Sequence, residues 1–239
     1  MIGICGGGYM DNTLEEKYIE IQKQLYQQVN FKDTISLSSV HFVAGIDLAY
    51  WKIDEVEYAV CCIVILDYET HNVIEEVEYV GKVEVPYISG CLAFREIPFV
   101  IEAYQKLKTN PDILFFDGNG YLHQRHMGLA THAGIVLKKP SIGIAKSYYS
   151  IENTKFLMPS NEKGAYTDII VNGEVYGRTL RTQKDVKPIF LSIGNKIDLE
   201  TAMILTNALI SKESRIPIPT RLADIMTHDR RKKYQSIIL

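Results

Sequence analysis

The chain has 239 residues, 46% hydrophobic and 23% charged, with a net charge of −3. That composition supplies a sizeable core and excludes a disordered chain. The acidic balance excludes a protein that coats nucleic acid through bulk positive charge, though not an enzyme with a local basic patch. The start, MIGICGGGYM, lacks a basic region followed by a long apolar core, so no signal peptide is expected. The longest apolar run, Tyr58 to Leu66, is too short to span a bilayer. Cys5, Cys61, Cys62 and Cys91 form no CxxC pair and read as reduced, buried cysteines of a cytosolic protein.

Residues 1–12, with Gly6 to Gly8, read as a flexible head, and residues 13–239 as a single domain. Leu14, Tyr18, Ile21, Leu25 and Val29 recur at helical spacing, and Thr13 with Glu16 fits a capping box, so a helix is expected over 13–29. Residues 42–50, FVAGIDLAY, read as a strand with Asp47 at its middle. Gly45 would let another backbone come close to it. An acid within an apolar strand is either solvent-facing or paired, because burying it alone is costly. Residues 57–67 and 72–83 read as two more strands, joined by a hairpin to complete a three-stranded meander. The loop 84–95 can present Tyr87 outward. A helix over 96–108 follows, with Pro98 in its first turn and Glu96 at its very start, where an acid complements the dipole.

The stretch Pro111 to Ser147 carries the clearest chemistry. Ile113 to Phe116 form an apolar run ending on Asp117, and Ser141 to Ala145 form another ending on Lys146. Two buried strands, each delivering a charge at its C-terminal end, are how open α/β sheets present a site. Gly118, Gly120, His123, Arg125 and His126 lie between, ahead of a small-residue helix over 128–138. Residues 148–165 read as irregular. Asn172-Gly173 marks a hairpin, followed by a basic cluster of Arg178, Arg181, Lys184 and Lys187. That cluster is either a solvated hairpin end or a phosphate-facing arm. A strand over 188–194, a helix from Asp198 to about Leu209 and a last helix introduced by Pro217 and Pro219 complete the chain. That helix carries Arg221, Asp224 and His228, and Arg230 to Lys233 read as a solvated tail. One α/β domain with a mixed sheet flanked by helices is expected.

Asp117 to Gly120 match the DxxG of GTPases, and Asn195 to Asp198 their NKxD. No GxxxxGK[ST] phosphate cradle accompanies them, so that reading is rejected. Asp47, Glu96, Asp117 and Asp224 form a candidate carboxylate cluster for a hard cation such as Mg²⁺, which takes oxygen ligands. Their spacing alone is a weak signal among the 29 acids of the chain.

The segments VAGIDLAY (43–50), PYISGCLAFRE (86–96), DGNGYLHQRHMGLATHAG (117–134), IGIAKS (142–147) and RIPIPTRLAD (215–224), with GRTLRT and KPIFLSIGN, resemble the endonuclease V family. The resemblance covers nearly the whole chain after the first helix. It implies a ribonuclease H-like fold and Mg²⁺-dependent cleavage of deoxyinosine-containing DNA, with Mn²⁺ able to substitute. The cut would fall at the second phosphodiester bond 3′ to the lesion, leaving a 3′-hydroxyl and a 5′-phosphate, in DNA repair. It implies Asp47 and Asp117 as metal ligands, Glu96 completing the site and Asp224 as a fourth member. Lys146 would stand near the scissile phosphate, Tyr87 would act as a wedge beside the extruded base, and Leu92, Gly118 and Gly128 would form the base pocket. His123 would contact a phosphate. A cytoplasmic monomer with no membrane partner is expected. Two departures stand out: Ser89 replaces the second proline of the family's Pro-Tyr-Ile-Pro wedge, and Asn119 and Gln124 stand where the family often has other residues. An inosine-specific ribonuclease or a branched-DNA nuclease would use the same acids; a non-catalytic inosine-binding protein would not need all four.

Overall fold

The computed structural model describes residues 9–238. Residues 1–8 of the expected head, Gly6 to Gly8 among them, lie outside the described residues, as does Cys5. The elements in chain order are α1 (Tyr9–Tyr26), β1 (Phe42–Ile53), β2 (Val56–Asp67), β3 (Val73–Lys82), α2 (Leu92–Tyr104), β4 (Ile113–Asp117), α3 (Leu129–Val136), β5 (Ser141–Ala145), β6 (Thr154–Lys155), β7 (Tyr166–Val171), β8 (Glu174–Leu180), β9 (Ile189–Asn195), α4 (Leu199–Ala208) and α5 (Ile218–Ile238). The strands form one nine-stranded mixed sheet in the order β3-β2-β1-β4-β5-β9-β8-β7-β6. β1 runs parallel to β4, and β4 parallel to β5; the other pairings are antiparallel.

Alternation along the strands sorts their side chains onto two faces. Val43, Ala49, Ile113, Phe115, Ile142 and Ile144 pack with α4 and α5 residues such as Met203, Leu205, Ala223 and Met226. Ala44, Ile46, Leu114 and Phe116 pack on the other face with Ile97, Phe99 and Val100 of α2 and Ala130 and Ala133 of α3. Gly45 sits on the α5 face. A Cβ there would lie 1.9 Å from the Pro219 carbonyl oxygen, so glycine is what lets the first turn of α5 press on β1.

The meander, the strand ends at Asp117 and Lys146, and the helix capped by Asp198 are as expected. The Asn172-Gly173 hairpin is also present, with both turn residues at positive φ (52° and 88°). Four expectations are corrected. α1 begins at Tyr9, so Thr13 is inside it and does not cap it. α2 begins at Leu92 and not at residue 96, so Pro98 lies within it and Glu96 is buried in its second turn. Pro98 is on the exposed side of α2, where the Phe94 carbonyl left without its helical donor can face water. Arg230 to Lys233 belong to α5, and Arg230 is ion-paired with Glu78. The arginines of the basic cluster are committed to the fold: Arg178 is buried against Asp168 and Glu200, and Arg181 donates to the carbonyls of Pro159, Ser160 and Val186.

The GTPase-like residues also have structural work. Asn195 donates to the Gly134 carbonyl (3.1 Å) and accepts from the Asn30 amide, and Asp198 caps α4 through the Thr201 amide (2.7 Å).

Candidate active site

Asp47 and Asp117 share one face of the sheet because each sits an even number of residues from core positions on the α5 side. The parallel register that pairs Ile46 with Phe116 places the two aspartates side by side. α5 crosses that face and adds Asp224. Carboxylate oxygens of Asp47, Asp117 and Asp224 all lie within 4.8 Å of one another. Lys146 follows β5 on the same face, with Nζ 2.5 Å from Asp117 Oδ2 and 2.8 Å from Asp224 Oδ1. Thr227, one turn beyond Asp224 on α5, donates from Oγ1 to Asp47 Oδ2 at 2.8 Å.

Glu96 approaches from the opposite side of the sheet, on α2. It is buried and accepts a hydrogen bond of 2.9 Å from the Tyr50 hydroxyl. Arg95 stacks over the Tyr50 ring at 4.7 Å and is itself held by Glu57 at 2.7 Å, which fixes the tyrosine. Thr227, Tyr50 and Arg95 were not singled out in the sequence. Thr227 had a legible signal, its spacing of three from Asp224 on a helix; Tyr50 lies three residues after Asp47, on the opposite face, with nothing to mark it.

Burial, then the charge of Asp117, raises the pKa of Asp47 to about 6. Burial raises Glu96 to about 8, against the opposing effect of its Tyr50 bond. Burial also raises Asp117, opposed by its bond to Lys146. Lys146 is shifted upward: its bonds to Asp117 and Asp224 outweigh the effect of burial. Crowded carboxylates that resist ionisation, with oxygens this close, fit a divalent hard cation, whose oxygen ligands sit at about 2.1 Å.

Carboxylates with raised folded-state pKa values favour folding while protonated. That stability is lost as pH rises from the ordinary carboxylate range, near 4, through about 6 and 8 for Asp47 and Glu96. In EDTA, Tm is therefore expected to fall between pH 5 and pH 8, and Mg²⁺ is expected to restore more of it at pH 8. An equal Mg²⁺ effect at both values would remove these carboxylates from metal binding.

Beside the acids lies a cavity of about 170 Å³ lined by Tyr87, Leu92, Gly118, Asn119, His123, Gly128 and Tyr149 among others. Gly128 is fitted closely here: a Cβ would meet the Asn119 and Gly120 carbonyl oxygens at 2.4 and 2.5 Å. Tyr87 is 68% exposed at the rim. The turn after it is tied down at the Gly90 carbonyl, which accepts from Gln22 Nε2 (2.9 Å) and Arg125 Nη2 (2.7 Å). This anchor acts where Ser89 replaces a proline, and it occupies Arg125. His123 is buried, stacked on Tyr149 at 5.5 Å, and burial lowers its pKa to about 4, so it is neutral.

The sequence profile of the endonuclease V family matches residues 23–225. An endonuclease V of Bacillus thuringiensis subsp. konkukian is 54% identical over 228 residues, covering 94% of this chain and 97% of its own length. The crystal structure of a Bacillus subtilis endonuclease V superposes with a TM-score of 0.90 at 55% identity, covering 93% of this chain and 94% of that one. A Ciona intestinalis endonuclease V, solved in complex with a 24mer DNA containing an inosine followed by a ribo-adenosine, superposes with a TM-score of 0.82 at 30% identity, covering 93% and 99%.

Proposed function

The chain belongs to the endonuclease V family, nucleases acting on phosphodiester bonds, and from that premise we propose that it is a Mg²⁺-dependent DNA-repair endonuclease specific for deoxyinosine. It cuts the second phosphodiester bond 3′ to the lesion and leaves a 3′-hydroxyl and a 5′-phosphate. Residues 13–239 act as one catalytic unit, as a monomer in the cytoplasm. Among the described residues no helix is long and apolar enough to cross a membrane. The observation that carries the reading is the convergence of Asp47, Asp117 and Asp224 with Lys146 on one face of the sheet.

In this reading Asp47 and Asp117 hold the cation, with Asp224 closing the site and Glu96 orienting the attacking water. Mg²⁺ supplies an acidified water and neutralises phosphate charge when bound, and Mn²⁺ can replace it. Thr227 keeps the Asp47 carboxylate turned toward Asp117. Lys146 adds positive charge where the leaving oxygen develops negative charge. The cavity takes the extruded base, with Leu92, Gly118 and Gly128 as walls. Hypoxanthine carries a carbonyl where adenine has an amine, and a close backbone wall with N–H donors favours the carbonyl. A mismatched base costs less to unstack than a paired one. His123, neutral and buried, serves a phosphate as a hydrogen-bond partner and not as a charge.

A labelled duplex with one deoxyinosine, incubated with and without Mg²⁺, tests the reading. A Mg²⁺-dependent nick one nucleotide beyond the lesion's 3′ phosphate is expected. No such nick, with cutting of inosine RNA or of branched DNA in its place, would transfer the same acids to the alternative substrate.

Tyr87→Ala is expected to remove base stacking worth about 1–3 kcal/mol. The preference for inosine over adenine DNA should fall by one to two orders of magnitude, with Mg²⁺ affinity unchanged. Unaltered discrimination would refute the wedge.

A further inference from the structure

The Arg215 guanidinium lies next to the acids, yet among the described residues no carboxylate meets it at ion-pair distance. It lies in the connection between α4 and α5 and is half-buried. Nη1 donates to the Pro188 carbonyl at 2.8 Å, just ahead of β9, and Nη2 donates to the Lys146 carbonyl at 3.2 Å, just after β5. Its own carbonyl accepts from Thr182 Oγ1 at 2.8 Å. Backbone and guanidinium are thus both fixed, the guanidinium against the C-terminal end of β5 beside Lys146. It is close enough that its charge opposes the rise in the Asp117 pKa.

Arg125 and Arg181 also donate only to neutral groups, but Arg215 is set apart by its place beside the acids, where its charge acts on Asp117. Arg95, Arg178, Arg221 and Arg230 each meet a carboxylate. Among the described residues, Arg215 has none within ion-pair distance. Its hydrogen bonds go to neutral carbonyls, which position a guanidinium without neutralising it. A guanidinium carries five N–H donors in a planar fork suited to phosphate oxygens, so positions remain for a ligand. An oriented, uncompensated cation at the edge of an acidic metal site fits an anion that the acids alone would repel.

We propose that Arg215 grips the phosphate undergoing cleavage, donating to a non-bridging oxygen opposite the side held by the acids. The inference rests on the nuclease reading above and adds a second fixed cation to Lys146. The two differ in how they are held. Lys146 is bound to Asp117 and Asp224 and exchanges partners during turnover, whereas Arg215 is held by backbone and stays in place. As negative charge grows on the phosphate oxygens, a donor already in position strengthens without reorganising.

The test compares Arg215→Gln, Arg215→Lys and Arg215→Ala with the wild-type chain. Single-turnover cutting by Arg215→Gln should fall about 10²-fold, the usual effect of losing one such donor. Arg215→Lys should recover part of the loss, and methylguanidinium added to Arg215→Ala should restore cutting in a saturable way. The slope of log affinity against log salt on inosine duplex should become less steep by about 0.9 in the Gln variant. Mn²⁺ affinity and Tm should stay within twofold and a few degrees of wild type. Wild-type rates in the variants overturn the proposal. So does a loss of cutting matched by weaker Mn²⁺ binding with an unchanged salt slope, because Arg215 would then only brace Lys146. Failure of the wild-type chain to cut inosine DNA would instead be failure of the nuclease reading, and the salt slope would still decide whether Arg215 meets a phosphate.

Discussion

Asp117→Asn is expected to lower single-turnover cutting of an inosine duplex by at least about 10²–10³-fold, the range for losing one group aimed at developing charge. The change keeps size and shape but removes the charge that lies within 4.8 Å of Asp47 and Asp224. The amide also points N–H donors at a cation. Asp117 is bound to Lys146 at 2.5 Å, so the lysine would be left with Asp224 alone. Binding of inosine DNA should survive, because Tyr87 and the base cavity are untouched. Asp47→Asn should behave alike. Its effect on stability should be mild or favourable, since a carboxylate raised to about 6 by burial is unhappy ionised at neutral pH. Full activity in either variant would remove that residue from the site.

Gly45→Ala is expected to separate stability from chemistry in a different way. The new methyl would lie 1.9 Å from the Pro219 carbonyl oxygen and 2.1 Å from its carbonyl carbon. Both are backbone atoms at the start of α5, so a rotamer change cannot relieve the clash. The helix must move, and overpacking of this kind costs about 1–3 kcal/mol and sometimes more. α5 also carries Asp224 and Thr227, so the same shift draws them away from Asp47. Measured well below its lowered Tm, the variant should show weaker Mn²⁺ binding and slower cutting than its loss of stability explains. Wild-type Tm and wild-type cutting together would show that α5 does not need this contact.

Much of this arrangement is visible in the residues. Apolar runs ending at Asp117 and Lys146 mark buried parallel strands, and side-by-side strand ends follow from burial on both faces. Asp47 is less legible, because alternation alone allows a solvent-facing acid; what covers it is a helix whose Thr227 lies 180 residues later in the chain, and no local pattern reports that. Pro98, usually a first-turn residue, points to a helix start at Glu96. The exposed side of α2 tolerates the missing donor, so the helix runs back to Leu92 and buries Glu96. Within the basic cluster, Arg178 is drawn into the fold for a geometric reason. A regular two-residue turn at Asn172-Gly173 pairs Asp168 with Gly177, but an irregularity between Ile169 and Ile170 pairs it with Arg178 instead. One inserted residue turns an apparent phosphate arm into a structural ion pair. Arg215 lies within RIPIPTRLAD, and nothing in its neighbours shows that its hydrogen bonds go to carbonyls and not to an acid.

The central claim is that Asp47 and Asp117 together hold a divalent cation. Its most direct test is Mn²⁺ binding, followed by titration calorimetry or by the ion's magnetic resonance signal, in the wild-type chain and in Asp47→Asn and Asp117→Asn at pH 8. Saturable binding by the wild-type chain, weakened at least tenfold in each variant, is the expected result. Equal Mn²⁺ affinity in all three proteins would contradict it.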